Sequence, residues 1–271
     1  MACISTKTWV NIVDEQMKVL AKKTVDKVYK KIQKARKTEF HRFSTNVGIG
    51  ADGTPTEYVD KIAEDVVIRF LKKAEPRVNL LSEEAGFLDM GGEYTFVLDP
   101  VDGSRNAGRG IPFYAVSLGV GKKMLSDVEY GIVKNIPTGD TFLAEKGHGA
   151  FLNNQRIVTP NAPGKDTLAC LSLGKNYDDA TIALADKNVV RSLGSASLEM
   201  CMVAIGALDL YLAGKTYLRV TDIAASTLIV REAGGVVKTI NGNELDMPLT
   251  LDERTSVVAG CSEEMIRCVL A

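Results

Sequence analysis

The chain has 271 residues, a net charge of −1 at pH 7, and a composition of 45% hydrophobic and 25% charged residues. This length can bury a sizeable core as one large domain or two small ones, and the composition is that of an ordinary soluble globular protein. The nearly neutral charge argues against nucleic acid as a principal partner, since a phosphate backbone calls for a basic face, and no apolar run is long enough to span a bilayer, which argues against a membrane partner.

The first part of the chain contains two helical patterns. Apolar residues recur at three- and four-residue steps over residues 8–37 and again over residues 56–71, which predicts two amphipathic helices. Residues 41–53, between them, are polar and rich in glycine, and we expect a mobile loop that closes over a neighbouring site. Residues 48–53 fit the G-x-G-x-x-G pattern of dinucleotide sites only weakly, because no convincing strand precedes them.

Two short apolar runs, residues 78–81 and 94–98, predict buried strands, and each ends in acidic residues. The first continues as Ser-Glu-Glu at 82–84, and the second as Asp-Pro-Val-Asp-Gly-Ser at 99–104. Asp-Pro-x-Asp-Gly is also good turn chemistry in its own right. Two neighbouring strands that both end in paired carboxylates are nevertheless hard to explain as solvated surface, which favours a functional site.

The second of these strand ends has the chemistry of a metal and phosphate site. Asp99 and Asp102 could aim at one point, where they would repel each other unless a cation lay between them. Hard oxygen ligands on a stiff turn suit Mg²⁺ better than a soft metal. If a helix begins there, Gly103 and Ser104 would offer backbone N–H groups and a hydroxyl to a phosphate oxygen.

The rest of the chain divides into a meander and an alternating region. Strands at 115–121, 128–134 and 141–145, followed by a hairpin at 147–155, predict an antiparallel meander. The Pro and Gly cluster at 160–164 is the best boundary candidate, so we expect an N-terminal α+β half, residues 1–160, and a C-terminal α/β half, residues 161–271. The pattern of the second half predicts strands that alternate with helices. The strands are 168–173, 189–193, 209–213 and 256–259, and the helices are 179–187, 199–205, 221–232 and 262–270.

Cysteine and histidine usage excludes several kinds of site. No Cys-x-x-Cys pair occurs, and the odd number of scattered cysteines predicts reduced thiols in a cytoplasmic protein. The start of the chain has no hydrophobic region of the signal-peptide kind. His41 and His148 lie far apart without metal-ligand partners nearby, which argues against a zinc site or a His-based triad.

Four blocks of sequence, in the same order, resemble the signature blocks of the inositol monophosphatase family: residues 82–84, 99–104, 221–225 (Thr-Asp-Ile-Ala-Ala) and 232–235 (Glu-Ala-Gly-Gly). This family belongs to the Mg²⁺-dependent, lithium-sensitive phosphatases, which include fructose-1,6-bisphosphatases. Residues 53–56 and 219–222 look most like the archaeal branch, associated with hydrolysis of both fructose-1,6-bisphosphate and inositol phosphates. The resemblance implies an α/β fold, a layered α-β-α-β-α sandwich of the sugar-phosphatase type, and a homodimer.

The resemblance also implies metal ligands. One Mg²⁺ would be held by Glu83, Asp99 and the Val101 carbonyl, and a second by Asp99, Asp102 and Asp222, with two or three metals per site and Mn²⁺ as a substitute. Taken alone, Asp222 and the threonine before it would simply be a helix N-cap.

Further roles follow from the same resemblance. Ser104, oriented by Asp60 and helped by Glu83, would position the attacking water. Glu84 would orient the ligands rather than bind a metal. The backbone amides of Gly103 and Ser104 would hold the phosphoryl oxygens.

The predicted reaction is hydrolysis of a phosphate monoester on a small sugar or polyol, with fructose-1,6-bisphosphate and inositol 1-phosphate as expected substrates. Lys215 stands where animal inositol monophosphatases carry a glutamate, and Thr221 where the family has a tryptophan, which weakens a strict inositol assignment. A basic side chain could instead contact a second phosphate of the substrate. The basic candidates are Lys175, Arg191 and Lys215, and each is explained equally well as surface charge. The expected substrate contacts are Asp102, Gly103, Ser104, Lys175, Arg191, Ser195 and Lys215.

Two alternatives remain open at this point. A 3′-phosphoadenosine 5′-phosphate phosphatase would share every metal motif, but it would need an adenine pocket that the sequence does not locate. A non-enzymatic metal- or phosphate-binding protein of the same fold would have no reason to keep Ser104 and Asp60 as well as the ligands.

Overall fold

The computed structural model describes residues 13–51, 53–162, 166–172 and 179–270. α1 begins after Asp14, whose side chain accepts a hydrogen bond from the Met17 amide at 2.7 Å and so caps the helix. Within the described ranges the helices are α1 (Glu15–Thr38), α2 (Tyr58–Leu71), α3 (Ser104–Arg109), α4 (Asp179–Lys187), α5 (Ala196–Ala204), α6 (Val220–Glu232) and α7 (Glu263–Leu270).

The strands form a hairpin and two larger sheets. Strands of the hairpin and the large sheet are β1 (Asn46–Ile49), β2 (Pro55–Glu57), β3 (Asn79–Ser82), β4 (Gly86–Leu88), β5 (Thr95–Asp102), β6 (Ala115–Gly121), β7 (Tyr130–Asn135), β8 (Thr141–Glu145), β9 (Gly149–Leu152) and β10 (Gln155–Ile157). Strands of the small sheet are β11 (Leu168–Leu171), β12 (Val189–Arg191), β13 (Leu210–Leu218), β14 (Val236–Lys238) and β15 (Thr255–Gly260).

The large sheet has eight strands in the order β10-β9-β8-β7-β6-β5-β3-β4, and the small sheet five in the order β12-β11-β13-β15-β14. The predicted meander is confirmed, since β6 to β10 pair antiparallel in succession. β3 and β5 run parallel, so their carboxyl ends lie side by side. This is the edge where the two acidic sequence blocks meet.

Five layers of secondary structure are stacked. α1 and α2 cover one face of the large sheet through a core that includes Val28, Ile32 and Leu118. α5 and α6 fill the space between the two sheets. α4 and α7 cover the far face of the small sheet, with Ile266 among the buried residues. The structure is therefore the α-β-α-β-α sandwich that the resemblance implied.

The α6 helix lies unusually close to the large sheet. A Cβ atom at Gly131 in β7 would lie 2.9 Å from the Ala225 carbonyl oxygen of α6, so only glycine allows this approach. The close packing fixes the start of α6 against the carboxyl end of β5. It thereby brings Asp222 toward Asp99.

Several element boundaries differ from the prediction. β5 continues through Asp102 instead of ending at Leu98, and β13 runs to Leu218. β1 lies in the segment 41–53 that we expected to be a loop, and it pairs with β2, which overlaps the first residues of the predicted helix 56–71. β4 and β14 were not predicted. Strands of three or four residues carry too little alternation to be recognised from their sequence. Within the described residues no helix is both long and apolar enough to cross a membrane.

Candidate active site

A β-bulge brings the two aspartates of β5 to one face of the large sheet. Asp99 pairs with Ser117 of β6 and Asp102 with Ala115, so three steps on β5 match two on β6. In a regular strand, residues three apart point to opposite faces. The extra residue turns both carboxylates toward the starts of α5 and α6.

Three acidic residues from three different elements converge at this point. Glu83 directly follows β3, Asp99 lies in β5, and Asp222 is the third residue of α6. One carboxylate oxygen from each of the three lies within 4.8 Å of the others. Such a set of hard oxygen donors fits a divalent cation. It combines one residue predicted for each metal with Asp99, which was predicted for both, and it does not include Asp102. The division of the ligands between two metals stays a prediction.

The charged form of the Asp99 carboxylate is destabilised by its surroundings. It is only 3% exposed. Burial raises its pKa well above its usual value, and the negative charges of Glu83, Asp102 and Asp222 raise it further, against the opposing effect of Arg219. A bound cation would relieve this repulsion, so the residues present fit a metal.

Asp102 is held by the start of α5. Its Oδ2 accepts hydrogen bonds from Ser195 Oγ at 2.6 Å, Ser197 N at 2.7 Å and Ser197 Oγ at 2.5 Å, and its Oδ1 accepts one from Ala196 N at 3.2 Å. Burial raises the pKa of Asp102 to about 6, assisted by the charge of Asp222 and opposed by these hydrogen bonds. Oδ2 is therefore fully used, and Oδ1 is the atom left to meet a metal.

Glu199 fixes the turn that holds Asp102, a role that the sequence reasoning missed. It is 1% exposed, and its Oε1 accepts hydrogen bonds from Leu193 N at 2.6 Å and Gly194 N at 2.8 Å. From the other side, Asn106 Nδ2 donates to the Leu193 carbonyl at 2.7 Å. The available signal was a single acidic residue in an otherwise apolar helix, since a buried carboxylate must find donors.

Arg219 is a second site residue that the sequence reasoning did not select. Its guanidinium donates to Glu83 and, through Nη2 at 2.9 Å, to Asp222 Oδ1. Burial on its own would lower its pKa, but the charges of Asp222, Glu83 and Asp99 raise it overall. The arginine therefore stays charged and lies among the predicted metal ligands.

Asp60 lies at the edge of the acidic group. It is buried near the beginning of α2. Burial raises its pKa well above its usual value, and the charges of Glu83, Glu84 and Glu57 raise it further. Among the contacts of the described residues there is no hydrogen bond between Asp60 and Ser104, so that pairing stays a prediction.

Glu84 connects the site to the β1–β2 hairpin. Its carboxylate accepts a hydrogen bond from Thr56 Oγ1, and its carbonyl oxygen accepts one from Ala51 N at 2.9 Å. It does not belong to the group of three close carboxylates. The expected role of Glu84, to orient its surroundings rather than to bind a metal, stays a prediction that agrees with these contacts.

Comparison with known proteins identifies the family. The model of the inositol monophosphatase family matches residues 13–269. The chain belongs to the inositol monophosphatase family. It is accordingly a metal-dependent phosphoric monoester hydrolase.

Individual relatives cover most of the chain. The fructose-1,6-bisphosphatase/inositol-1-monophosphatase of Thermococcus kodakarensis is 40% identical over 83% of this chain and 85% of that protein. The bifunctional NADP phosphatase/NAD kinase of Methanococcus maripaludis is 39% identical over 81% of this chain but 43% of that protein. A solved inositol monophosphatase–fructose 1,6-bisphosphatase has a TM-score of 0.82 and 34% identity over 93% of this chain and 98% of its own. A protein from Pyrococcus horikoshii with similarities to inositol-1 monophosphatase has a TM-score of 0.80 and 31% identity over 93% and 96%.

The structure describes the side chains of two of the four remaining residues that are predicted to touch substrate in this inositol monophosphatase family member, Ser195 and Arg191. The Ser195 hydroxyl donates to Asp102. Arg191 is exposed on the edge strand β12, where its Nη1 donates to the Val190 carbonyl at 2.9 Å. Lys175 lies outside the described residues, and so does the side chain of Lys215. Ser195 therefore holds Asp102, and its contact with substrate stays a prediction, as do the three basic contacts.

Gly103, at the start of α3, is expected to tolerate no side chain. Its φ is +91°, and an added Cβ would lie 3.0 Å from the Gly194 carbonyl oxygen. Gly103→Ala should lower the free energy of unfolding by about 1–3 kcal/mol and lower turnover about tenfold, because the turns that carry Asp102 and Ser195 would be pushed apart. Thermal melting and steady-state kinetics would measure the two effects.

Gly147→Ala is the matched control for this substitution. Gly147 has a φ of +77°, but an added Cβ there would have no atom within 4 Å. We expect a similar backbone penalty with unchanged turnover. Equal turnover in the two variants would show that the approach of Gly103 to Gly194 does not matter to the site.

Proposed function

We propose that the chain is a Mg²⁺-dependent phosphatase of sugar and polyol phosphates, acting on fructose-1,6-bisphosphate and inositol 1-phosphate. The observation that supports it most is the convergence of three carboxylates within 4.8 Å: Glu83 and Asp99 from two parallel strands, and Asp222 from the start of α6. The name of the Thermococcus kodakarensis relative supports the same two substrates. The choice of Mg²⁺ follows from the all-oxygen donor set.

Glu83, Asp99, the Val101 carbonyl, Asp102 and Asp222 would hold the metals. When bound, Mg²⁺ lowers the pKa of a coordinated water and neutralises charge on the phosphoryl group. The bulge in β5 and the clamp at the start of α5 hold the aspartates in fixed positions, which reduces reorganisation during the reaction.

The chain's own residues would perform the remaining steps. The amides of Gly103 and Ser104 at the start of α3 would hold the phosphoryl oxygens. The Ser104 hydroxyl would orient the attacking water, and the Asp60 carboxylate would orient that hydroxyl by accepting a hydrogen bond from it. Burial and the charges of Glu83 and Glu84 raise the pKa of Asp60, which makes its carboxylate a better hydrogen-bond acceptor than an ordinary one.

Phosphate release tests this function directly. The purified chain would be assayed with and without Mg²⁺ on fructose-1,6-bisphosphate, inositol 1-phosphate, 3′-phosphoadenosine 5′-phosphate and NADP. We expect Mg²⁺-dependent turnover of the first two and loss of all activity after chelation. Turnover of a nucleotide alone would refute the substrate assignment but leave the phosphatase assignment intact.

NADP is a second candidate substrate because of one observation. Relatives from Methanococcus maripaludis and Methanocaldococcus jannaschii, 39% and 36% identical, are named bifunctional NADP phosphatase/NAD kinases. The chain spans less than half of each of these proteins. A higher kcat/KM for NADP than for fructose-1,6-bisphosphate would make NADP the preferred substrate.

We further propose that the protein is a cytoplasmic homodimer. Buried, unpaired thiols at Cys170, Cys201 and Cys261 support a reducing compartment. The family resemblance supports the dimer, and light scattering from the purified chain would test it.

A further inference from the structure

The Arg219 guanidinium lies where a metal would bind. It donates to Glu83 after β3 and to Asp222 in α6, and so links two carboxylates from different elements. The Arg219 side chain is 17% exposed, so the pair contacts are largely shielded from water. This arginine therefore neutralises the carboxylates that are expected to hold the metal.

The hydrogen bonds from Arg219 engage both carboxylate oxygens of Asp222. Its Oδ1 accepts from Arg219 Nε at 3.1 Å and Nη2 at 2.9 Å, and its Oδ2 accepts from Arg219 N at 2.8 Å and Nε at 3.3 Å. Three N–H groups of Arg219 thus engage both oxygens of Asp222, with the single Nε–H shared between them. The bond to Oδ2 from the backbone N belongs to the helix cap of α6. A metal can therefore reach Asp222 only after the guanidinium moves away from Oδ1.

Asp99 differs from Asp222 in this respect. Among the described residues, its carboxylate accepts one hydrogen bond, from Val101 N to Oδ1 at 3.0 Å. The pKa of Asp99 is raised, whereas the charge of Arg219 opposes that rise. Arg219 thus offsets part of the repulsion at Asp99 without covering its oxygens.

We propose that Arg219 is the resident counter-cation of the metal-free site and that a divalent metal must displace its guanidinium from Asp222 and Glu83. Metal binding at this centre is then an exchange of one cation for another. The arginine keeps the acidic group folded before metal arrives, and it weakens apparent metal affinity by competing for the same oxygens. The inference rests on the metal-dependent function proposed above.

Arg219→Met tests the exchange because methionine keeps a long side chain and removes the charge. We expect Mg²⁺ to bind this variant about tenfold more tightly in calorimetry, since the competing cation is gone. Without metal, the variant should melt at a lower temperature than the unaltered protein, because the carboxylates of Glu83 and Asp222 lose their shared positive partner. Added Mg²⁺ should then raise its melting temperature by more than it raises that of the unaltered protein.

Arg231→Met is the matched control, at the other end of the same helix. Arg231 is also partly buried, but its Nη2 donates to the Leu245 carbonyl at 2.9 Å and not to a carboxylate of the site. Its loss should leave Mg²⁺ affinity unchanged. Weaker or equal Mg²⁺ binding in Arg219→Met would overturn the proposal, because it would show that Arg219 supports the ligands instead of competing for them.

A measurement on the unaltered protein decides the question if Arg219→Met does not fold without metal. The Arg219 Nε–H should exchange slowly with solvent in the metal-free protein, and exchange should become at least tenfold faster on adding Mg²⁺. Unchanged exchange at saturating Mg²⁺ would overturn the proposal. Neither measurement depends on turnover. If Mg²⁺ displaced the guanidinium but the protein hydrolysed none of the esters, only the proposed function would be refuted.

Discussion

Asp99→Asn is expected to lower turnover about 10³-fold or more and, at the same time, to make the metal-free protein more stable at neutral pH. Turnover falls because Asp99 is the predicted ligand common to both metals. Stability rises because burial and three neighbouring carboxylates raise the pKa of Asp99, and asparagine removes that repulsion. Asn Oδ1 can still accept the hydrogen bond from Val101 N, so the bulge should be preserved.

Phosphate release and thermal melting after chelation would measure these two effects. Asp65→Asn is the control, because Asp65 lies on α2 in a surface pair with Lys61. Surface pairs contribute little, so we expect unchanged turnover and at most a small loss of stability. Retained activity in Asp99→Asn would remove Asp99 from the metal site. A large drop in metal-free stability would show that its carboxylate is satisfied within the protein.

Much of the site could be predicted because the acidic residues follow strongly β-forming segments. The carboxyl ends of adjacent parallel strands must meet at one edge, so Glu83 and Asp99 could be placed together from their positions after apolar runs. Asp222 could be placed with them only through the family resemblance. By its local sequence it is an ordinary residue of a helix start.

The bulge in β5 could not be predicted from the spacing of Asp99 and Asp102. We expected a turn at Pro100, yet the chain stays in the sheet and gains one unpaired residue. A turn and a bulge both bring Asp99 and Asp102 to the same side. The sequence therefore predicted that the two side chains lie together, but not the backbone conformation that places them there. The pairing of Asp99 with Ser117 and of Asp102 with Ala115, residues that are distant in the sequence, decides between the turn and the bulge.

Arg219 and Glu199 were missed for a different reason. Each is a charged residue whose partners are distant in sequence, as with Arg219 and Glu83, or belong to the backbone of a turn, as with Glu199 and Gly194. Periodicity reports which side of a helix is buried, but it does not report which polar groups meet there. Such residues become visible only when the layers are assembled.

Metal affinity is expected to fall about tenfold between pH 7.5 and pH 5, because Asp102 must lose its proton before it can bind a cation. Its pKa in the folded protein is about 6, against an ordinary value of 3.8. The raised pKa means that the folded protein favours the neutral form of Asp102, because burial and the charge of Asp222 outweigh the hydrogen bonds from Ser195 and Ser197. Asp99, whose pKa is raised as well, should add to the fall.

The same shift predicts the opposite trend for the metal-free protein. The folded state binds the Asp102 proton more tightly than the unfolded state does. The resulting stability is complete below pH 3.8 and is lost as the pH rises through about 6. Calorimetric titration with Mg²⁺ and denaturant unfolding after chelation, each at several pH values, would follow the two trends.

Asp102→Asn isolates the contribution of this single group, because asparagine does not titrate. The stability of the metal-free protein relative to this variant should decrease from pH 4 to pH 7. The variant should also fail to turn over substrate while it stays folded. If the stability difference stayed constant over that range, the Asp102 carboxylate would titrate alike in the folded and unfolded states. The hydrogen bonds from the start of α5 would then fully offset its burial beside Asp222.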